Sequence, residues 1–307
     1  MPNIRQEIVM SRFNPVPRLV LFGAVALLAA CGGDKGATTS ATTSAASEST
    51  PHGAILQATR LMQKGDFVAL WNASVPPVHQ EALKQEFMKE FRGEEITDEK
   101  REEFAQMMQR LTGPNAEAEM MAELRPQLEQ LQSEEMKAQL PAMVAFGRGM
   151  ALQAIAESEE FTPTQKQQAT GVVNALATWV EKGDFADPAR AERAIAAITR
   201  TARNLPVKTL DELHALDFEG LLGVVSSVYS GAKDVTRAYD IDIDQMLASV
   251  QAETISQDGD NANVRVKMQF LGQPLEFETP MVRVDGRWYG KDTIDKVTKV
   301  GSTAAAE

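Results

Sequence analysis

Residues 263–270 read Asn-Val-Arg-Val-Lys-Met-Gln-Phe, a stretch in which every second side chain is apolar. This alternation predicts a β-strand with one face on a core and the other in water. The pattern resumes over 275–279, and residues 250–256 precede it as a further predicted strand. Asp285-Gly286 has the chemistry of a type I′ hairpin turn, and Arg287-Trp288-Tyr289 begins the last strand. The C-terminal part is therefore predicted to be a four-stranded antiparallel meander.

Two further turns and one proline complete this predicted meander. Residues 257–261 and the segment Gly272-Gln273-Pro274 each separate one predicted strand from the next. Pro280 predicts a bulge or an edge position, because proline cannot donate a hydrogen bond to a neighbouring strand. The apolar face of such a sheet needs cover, and the helices predicted before it can supply it.

From Pro51 to about Ala248 the chain is predicted to be mostly helical. Gly65 and Gly93 are predicted to end two early helices. Four segments have the pattern of a helix N-terminus: Thr97-Asp98-Glu99, Thr162-Pro163-Thr164-Gln165, Asp187-Pro188 and Thr209-Leu210-Asp211-Glu212. The predicted class is therefore α+β, a mainly helical body followed by the meander.

The sequence divides this body into three predicted regions. Residues 51–205 form a helical region, residues 206–300 a helix plus the antiparallel sheet, and residues 301–307 a loose tail. The sequence leaves open whether the first two regions are one domain or two.

The N-terminus has the pattern of an export signal. Residues 19–30 are an unbroken apolar run of twelve, which is shorter than the roughly 20 residues that a membrane-spanning helix needs. This length is typical of the apolar segment of a secretory signal peptide. The run ends in Leu28-Ala29-Ala30-Cys31, and Cys31 is the only cysteine of the chain.

These four residues resemble the lipobox of bacterial lipoproteins. The resemblance implies that Leu28, Ala29 and Ala30 are recognised by the signal peptidase, that residues 1–30 are removed, and that the Cys31 thiol is acylated. Membrane lipid would then be a partner of the chain through acylated Cys31. The alternative is a chance cysteine after an ordinary signal peptide. Translation from Met10 rather than Met1 would give a more usual basic segment before the apolar run.

The residues after Cys31 bear on location. In lipoproteins an Asp at the next position retains the protein at the inner membrane, and Gly32 stands there in this chain. The resemblance therefore favours the outer membrane, with the body in the periplasm. Residues 32–50 hold no large apolar side chain, which predicts a disordered, flexible tether with a root-mean-square span of roughly 24 Å.

Charge and cysteine content exclude several classes of function. The chain carries a net charge of −12, and because residues 1–30 hold three arginines and one glutamate, the remainder carries −14. So acidic a body disfavours nucleic-acid binding through a basic face. A single cysteine excludes an internal disulfide framework and any site with several cysteine ligands.

A second resemblance concerns the C-terminal strands. Residues 281–289, Met-Val-Arg-Val-Asp-Gly-Arg-Trp-Tyr, together with Lys64-Gly65-Asp66-Phe67, resemble the NTF2-like lipoprotein modules of bacterial envelopes. About 150 helical residues between these segments depart from the compact pattern of that group. The resemblance implies a pocket and no particular reaction. Trp71, Trp288 and Tyr289 are candidate pocket aromatics, and the alternative is that they anchor the core.

No pattern of reactive residues indicates catalysis, a metal site or a cofactor. His52, His79 and His214 are isolated, and no nucleophile elbow is present. The carboxylates at 240, 242 and 244 begin like a calcium loop, but Gln245 and Gln251 stand where glycine and glutamate belong. These carboxylates are predicted to lie in an extended piece that leads into a helix cap.

Two repeated features remain. Methionines 107, 108, 120, 121, 136, 143 and 150 cluster in one region, without the spacing of a copper(I) site, and are expected to fill the core or to line an apolar groove. Lys64-Gly65-Asp66-Phe67 recurs at 182–185, which indicates either a duplicated module or, as we favour, common helix-ending chemistry.

The leading hypothesis is a lipid-anchored, non-catalytic binding or scaffolding protein of the cell envelope. The alternative is a periplasmic inhibitor or immunity-type lipoprotein that docks on a basic envelope-degrading enzyme. A third hypothesis is an enzyme that uses Glu276 or Glu278 beside Trp288. Alternation along the strand turns those glutamates to solvent and counts against it.

Overall fold

The computed structural model describes residues 49–159 and 161–304. Its sheet has four antiparallel strands in the order β1-β2-β3-β4, and this confirms the predicted meander. The strands are β1 (Gln251–Asp258), β2 (Asn261–Phe270), β3 (Gln273–Val284) and β4 (Arg287–Gly290).

The turns match the prediction at one hairpin and differ at another. Asp285 and Gly286 have φ values of 49° and 80°, as a type I′ turn requires. Between β2 and β3 the turn residues are Leu271 and Gly272, with φ values of 49° and 78°, and Gln273 already pairs with Phe270. The predicted turn at 272–274 is therefore misplaced, because the cross-strand register imposes a positive φ on a leucine that would locally avoid it.

Pro280 lies within a regular part of the sheet. It pairs with Asn263 of β2, whereas β4 pairs only with Met281–Val284, so β3 has a single neighbouring strand at the proline. This fits the predicted edge position. The one register shift in the described ladders lies in β1, between Thr254 and Ser256.

The described residues form twelve helices, eleven of them before the sheet. They are α1 (Pro51–Lys64), α2 (Phe67–Ser74), α3 (Pro77–Gly93), α4 (Asp98–Thr112), α5 (Ala116–Gln132), α6 (Glu134–Glu157), α7 (Pro163–Lys182), α8 (Pro188–Asn204), α9 (Leu210–Ala215), α10 (Phe218–Ala238), α11 (Ile243–Ala248) and, after the sheet, α12 (Lys291–Ala304).

The predicted helix starts are present with their capping contacts. Thr97 and Asp187 accept hydrogen bonds from the first turns of α4 and α8, while Thr162 and Thr209 form complete capping boxes. Gly65 follows α1 with a φ of 71°, the left-handed conformation that favours glycine. Local chemistry therefore sets where these helices begin and end.

The C-terminal helix α12 differs from the sequence prediction. It extends to Ala304 and so includes four residues of the segment 301–307 that was predicted to be a loose tail. Its Val297 is buried, which shows that this helix packs onto the body. Residues 305–307 lie outside the described part of the chain. No described helix is long and apolar enough to cross a membrane.

The main core lies between α1 and the inner face of the sheet. Ile55 of α1 packs against strand residues that alternate along β2 and β3: Ala262, Val264, Val266, Phe277, Met281 and, from β4, Trp288. Val264 and Val266 are 0% and 1% exposed. Burial of a valine side chain contributes about 1.5–3 kcal/mol, so this alternation is a principal source of stability for the sheet.

A second buried cluster joins the helices. Met121 and Leu128 of α5 pack on Ala191 and Ile195 of α8. Helix α10 packs on α8 and also contacts α2, so it lies between this cluster and the first helices of the body. Its contact with α2 includes the rings of Phe218 and Trp71, whose centres are 4.8 Å apart.

Candidate functional site

The predicted lipid-attachment site lies outside the described residues. Cys31 and the peptidase-recognition residues Leu28, Ala29 and Ala30 precede Ser49, where the described chain begins. Thr50 accepts a hydrogen bond from the Gly53 amide and so caps α1. The predicted tether would therefore join the body at the first turn of α1, directly against the main core.

A cleft of about 220 Å³ lies at this same junction. It is bounded by the start of α1, the end of α2 and the turn between β3 and β4. The lining residues are Ser49, Ala54, Gln57, Ala73, Gly286, Arg287 and Trp288. Of the three candidate pocket aromatics, Trp288 lies in this lining, whereas Trp71 packs on Phe218 in the aromatic pair described above.

Trp288 and Tyr289 cannot line one cavity, because successive residues of a strand point to opposite faces of the sheet. Both are buried, at 3% and 2% exposed. The Arg283 guanidinium lies 5.6 Å from the centre of the Trp288 ring, and the Arg287 guanidinium lies 5.9 Å from that of Tyr289. Both aromatics therefore anchor the sheet, and of the two only Trp288 belongs to the described lining of the cleft.

Sequence reasoning missed the polar groups of this cleft. The polar residues of the lining are Ser49, Gln57 and Arg287, and the described lining holds no Asp, Glu, His or Cys. Such a set offers hydrogen-bond donors but no general base. The only signal in the sequence that could have indicated this cleft was the position of Arg287, directly after the Asp285-Gly286 turn.

Glu276 and Glu278 do not form a catalytic carboxylate pair. Both reach Arg265 on the outer face of the sheet, where their carboxylate oxygens lie 3.1 and 3.0 Å from its guanidinium nitrogens. Lys267 lies 3.5 Å from Glu276 as well. The two glutamates are held by cations on the outer strand face, where Glu276 is exposed and Glu278 is half-buried, and they do not face each other across a pocket.

The histidines lie apart. The Nδ1 atom of His52 is hydrogen-bonded to the Thr254 hydroxyl at 2.9 Å, which fixes α1 to β1. The His214 ring lies 5.5 Å from the ring of Phe91. Among the described residues, no group of three or more His, Cys, Asp and Glu side chains is placed to hold a metal ion.

Of the three carboxylates that begin like a calcium loop, Asp240 has a partner of its own, whereas Asp242 and Asp244 both lie near Arg237, at 3.9 and 3.1 Å. Asp240 pairs with Arg190 at 2.6 Å, and Asp242 accepts a hydrogen bond from the Gln245 amide and caps α11. Asp244 pairs with Lys233 at 2.7 Å. The expected cap is therefore present, and the side chains do not converge on a common centre.

Lys233 belongs to the most buried charge cluster described. Its ammonium donates to Asp244 and to the Gln63 carbonyl at the end of α1, and it lies 5.3 Å from the centre of the Tyr229 ring. Burial, and then the charge of Asp244, raise the pKa of Tyr229 to about 12. A cation at a helix C-terminus stabilises it, so the cluster fixes the end of α1 against α10.

The two Lys-Gly-Asp-Phe segments differ in backbone conformation. Gly65 has a φ of 71°, whereas Gly183 has a φ of −74°. A Cβ atom on Gly183 would collide with the Phe185 ring, which packs on Trp179. The segments therefore share helix-ending chemistry, as we favoured, without a common local structure.

The seven clustered methionines divide into three groups, of which Met120 and Met136 are half-buried. Met108 and Met121 are buried, as expected for core filler. Met107, Met143 and Met150 are exposed, the last two on α6. An apolar surface on α6 is therefore a second candidate for a functional region.

A third candidate is the acidic surface that runs from α3 to the first turn of α6. Residues 81–135 hold fifteen acidic and seven basic side chains, a net charge of −8. Glu99, Glu102 and Glu103 of α4 are all exposed. This stretch therefore carries more than half of the net charge of −14 that residues 31–307 hold.

The comparisons with known proteins give no further guide. No family model, no curated protein and no solved structure matches the chain.

Proposed function

We propose that the protein is a lipid-anchored, non-catalytic binding or scaffolding protein of the bacterial cell envelope. The observation that carries the proposal is the segment Leu28-Ala29-Ala30-Cys31, which ends a twelve-residue apolar run and holds the only cysteine of the chain. The anchor is the acylated Cys31, the body lies in the periplasm, and Gly32 favours the outer membrane. Two or three acyl chains are sufficient for stable anchoring.

The described body offers surfaces that suit a binding role. The cleft at the tether junction holds donors without a base, and Glu276 and Glu278 are paired with Arg265. Tethering raises the effective concentration of the body for anything else at the membrane, so modest surfaces can act as binding sites there. The NTF2-like interpretation of residues 281–289 stays a prediction.

Replacement of the cysteine tests the anchor. We expect Cys31→Ser to abolish incorporation of radiolabelled palmitate and to move the chain from the detergent phase to the aqueous phase. Adding Ser47→Cys to that variant restores a thiol at the wrong place and should restore neither property. Retention of label by Cys31→Ser would refute the proposal. In a chain that keeps Cys31, Gly32→Asp should move the protein from outer-membrane to inner-membrane fractions.

The acidic surface favours a second candidate, an inhibitor or immunity-type protein that docks on a basic envelope-degrading enzyme. Its charge would speed association at low salt, and screening would remove the effect as ionic strength rises. With a basic lysozyme as the probe, we expect Glu99→Lys, Glu102→Lys and Glu103→Lys together to weaken low-salt binding. The same number of reversals at Glu181, Asp184 and Glu192 is the matched control, and equal effects of the two sets would reject docking on the acidic surface.

A further inference from the structure

Methionine is among the residue types most often buried, and a small exposed group in this chain departs from that rule. The structure describes twelve methionines, of which three are buried and three are exposed. The exposed ones are Met107 on α4 and Met143 and Met150 on α6, at 42%, 56% and 59%. Two of the three therefore lie on one helix.

The two exposed methionines of α6 lie on the same side of that helix. They are seven residues apart, which is close to two helical turns, so their side chains point in nearly the same direction. Gly147 lies between them, four residues after Met143 and three before Met150. A Cβ atom on this glycine would meet nothing within 4 Å. The gap between the two methionines is therefore open to a small molecule in water.

The surroundings of a methionine decide what its oxidation does to the fold. Met108, Met121 and Met281 are 5%, 9% and 4% exposed, and the last two belong to the buried clusters. A polar oxygen on such a thioether would be buried without a partner and would disrupt the core. No residue of α6 is buried, so the same oxygen on Met143 or Met150 would meet water. The fold therefore separates methionines that tolerate oxidation from methionines that do not.

We propose that Met143 and Met150 form an oxidation site for hypohalous acids, at which the surface of α6 changes from apolar to polar while the fold is kept. With hypochlorous acid, the thioether sulfur gives up an electron pair and gains the oxygen atom, and chloride and a proton leave. The sulfur is oxidised by two electrons and the chlorine is reduced by two. Thiol-dependent reductases reverse the step, since the sulfoxide oxygen leaves as water and two thiols become a disulfide.

The charges near the exposed methionines favour α6 over α4 as this site. Hypochlorite, the conjugate base of the oxidant, is an anion and is repelled by carboxylates. Residues 140–156 hold no carboxylate, and their single charged side chain is Arg148. Met107 lies four residues after Glu103, on the same side of α4 and within the acidic surface. Met107 should therefore react more slowly than its exposure alone would suggest.

The state of Cys31 and the place of the site in the cell rest on the proposed function. An acylated Cys31 leaves the chain without a free thiol, which would otherwise compete for the oxidant. The exposure of Met143 and Met150 does not depend on the anchor. All variants below therefore carry Cys31→Ser, so that a failure of the anchor in palmitate labelling and a failure of this site give different results.

Peptide mass spectrometry tests the selectivity of oxidation. The full chain with Cys31→Ser is treated with about two molar equivalents of hypochlorous acid and quenched with free methionine. We expect the sulfoxide fraction at Met143 and Met150 to exceed that at Met108 and Met121 by at least about tenfold. In urea, where every thioether is exposed, the four fractions should agree within about twofold. Equal oxidation of the four in the folded chain would overturn the proposal.

Met107 is the matched control for exposure without the surroundings of α6. At low salt, the sulfoxide fraction at Met143 should exceed that at Met107 by at least about twofold, and added salt should narrow the gap because it screens the carboxylates. Equal fractions at low salt would reduce the site to exposure alone and would reject α6 as a distinct site.

Leucine substitutions test the change of surface. After the same treatment, the Cys31→Ser chain should elute earlier from a hydrophobic interaction column, with a change in Tm of less than about 2 °C. Met143→Leu and Met150→Leu together keep α6 apolar without a thioether at either position, so this elution shift should disappear. Met107→Leu is the control and should keep the shift. Persistence of the shift in the double variant, or a fall in Tm of more than about 5 °C on oxidation, would contradict the proposal.

Discussion

Helices α8 and α6 are both rich in alanine, and they use it in opposite ways. In α8 the buried residues are Ala191, Ala194, Ile195, Ala197, Thr199 and Ala202, which pack between α4, α5 and α10. In α6 no residue is buried, although its central stretch has fewer charges than α8. The contacts within this chain explain the small residues of α8. They do not explain those of α6.

We expect the largest difference between the two helices when a large apolar side chain of each is truncated and the free energy of unfolding is measured. Ile195 of α8 is 5% exposed, so Ile195→Ala should lower the free energy of unfolding by about 2–5 kcal/mol. Met150→Ala on α6 should change it by less than about 0.5 kcal/mol, because Met150 is exposed. Urea unfolding followed by circular dichroism measures both. A loss of several kcal/mol in Met150→Ala would mean that α6 is anchored within its own chain.

Glycine substitutions sharpen the comparison, with effects of opposite sign. A Cβ atom on Gly231 of α10 would collide with Thr201 of α8, so Gly231→Ala should destabilise the fold by about 1–3 kcal/mol. Gly149→Ala meets open space and raises helix propensity, so it should stabilise the fold by up to about 1 kcal/mol. Thermal unfolding of both variants beside the wild type gives the two signs in one experiment.

Local chemistry explains how much of the fold could be predicted. Strand alternation at 263–270 and the capping residues Thr162 and Thr209 act over a few residues, and each is present as predicted. The turn at Leu271-Gly272 was misplaced because strand register outweighed the local preference of leucine. The extension of α12 beyond residue 300 was not predicted, because the sequence there has no strong helix-capping residue.

The site was less predictable, because its contacts join distant parts of the sequence. The cleft brings Gln57 beside Arg287, and the charge cluster brings Lys233 to the Gln63 carbonyl. No pattern within one helix or strand encodes such pairs. The opposite directions of Trp288 and Tyr289, however, followed from strand alternation alone and could have separated these two candidates at once.

The smallest expected effect on stability concerns an ion pair between α8 and a neighbouring helix. Among the described contacts, α6 has no such ion pair with a neighbour. Arg203, in the last turn of α8, donates to Glu117 of α5, and the buried Thr199 hydroxyl donates to the same carboxylate at 2.8 Å. The ion pair described for α6, Lys137 with Glu134, stays within its own helix. This difference gives α8 a pH-dependent link to its neighbour.

The hydrogen bonds from Arg203 and then Thr199 lower the pKa of Glu117 from 4.5 to about 2. Because the pKa is lower in the folded chain than in the unfolded one, this contribution is complete above about pH 4.5 and is lost as pH falls towards 2. We therefore expect Glu117→Gln to have a lower Tm than wild type at pH 6, with a difference that shrinks to near zero at pH 2. Glu129→Gln, an exposed position on the same helix, is the control. A Tm difference for Glu117→Gln that stays constant from pH 6 to pH 2 would assign the effect of Glu117 to packing, since a lost ion pair cannot matter once the carboxylate is protonated.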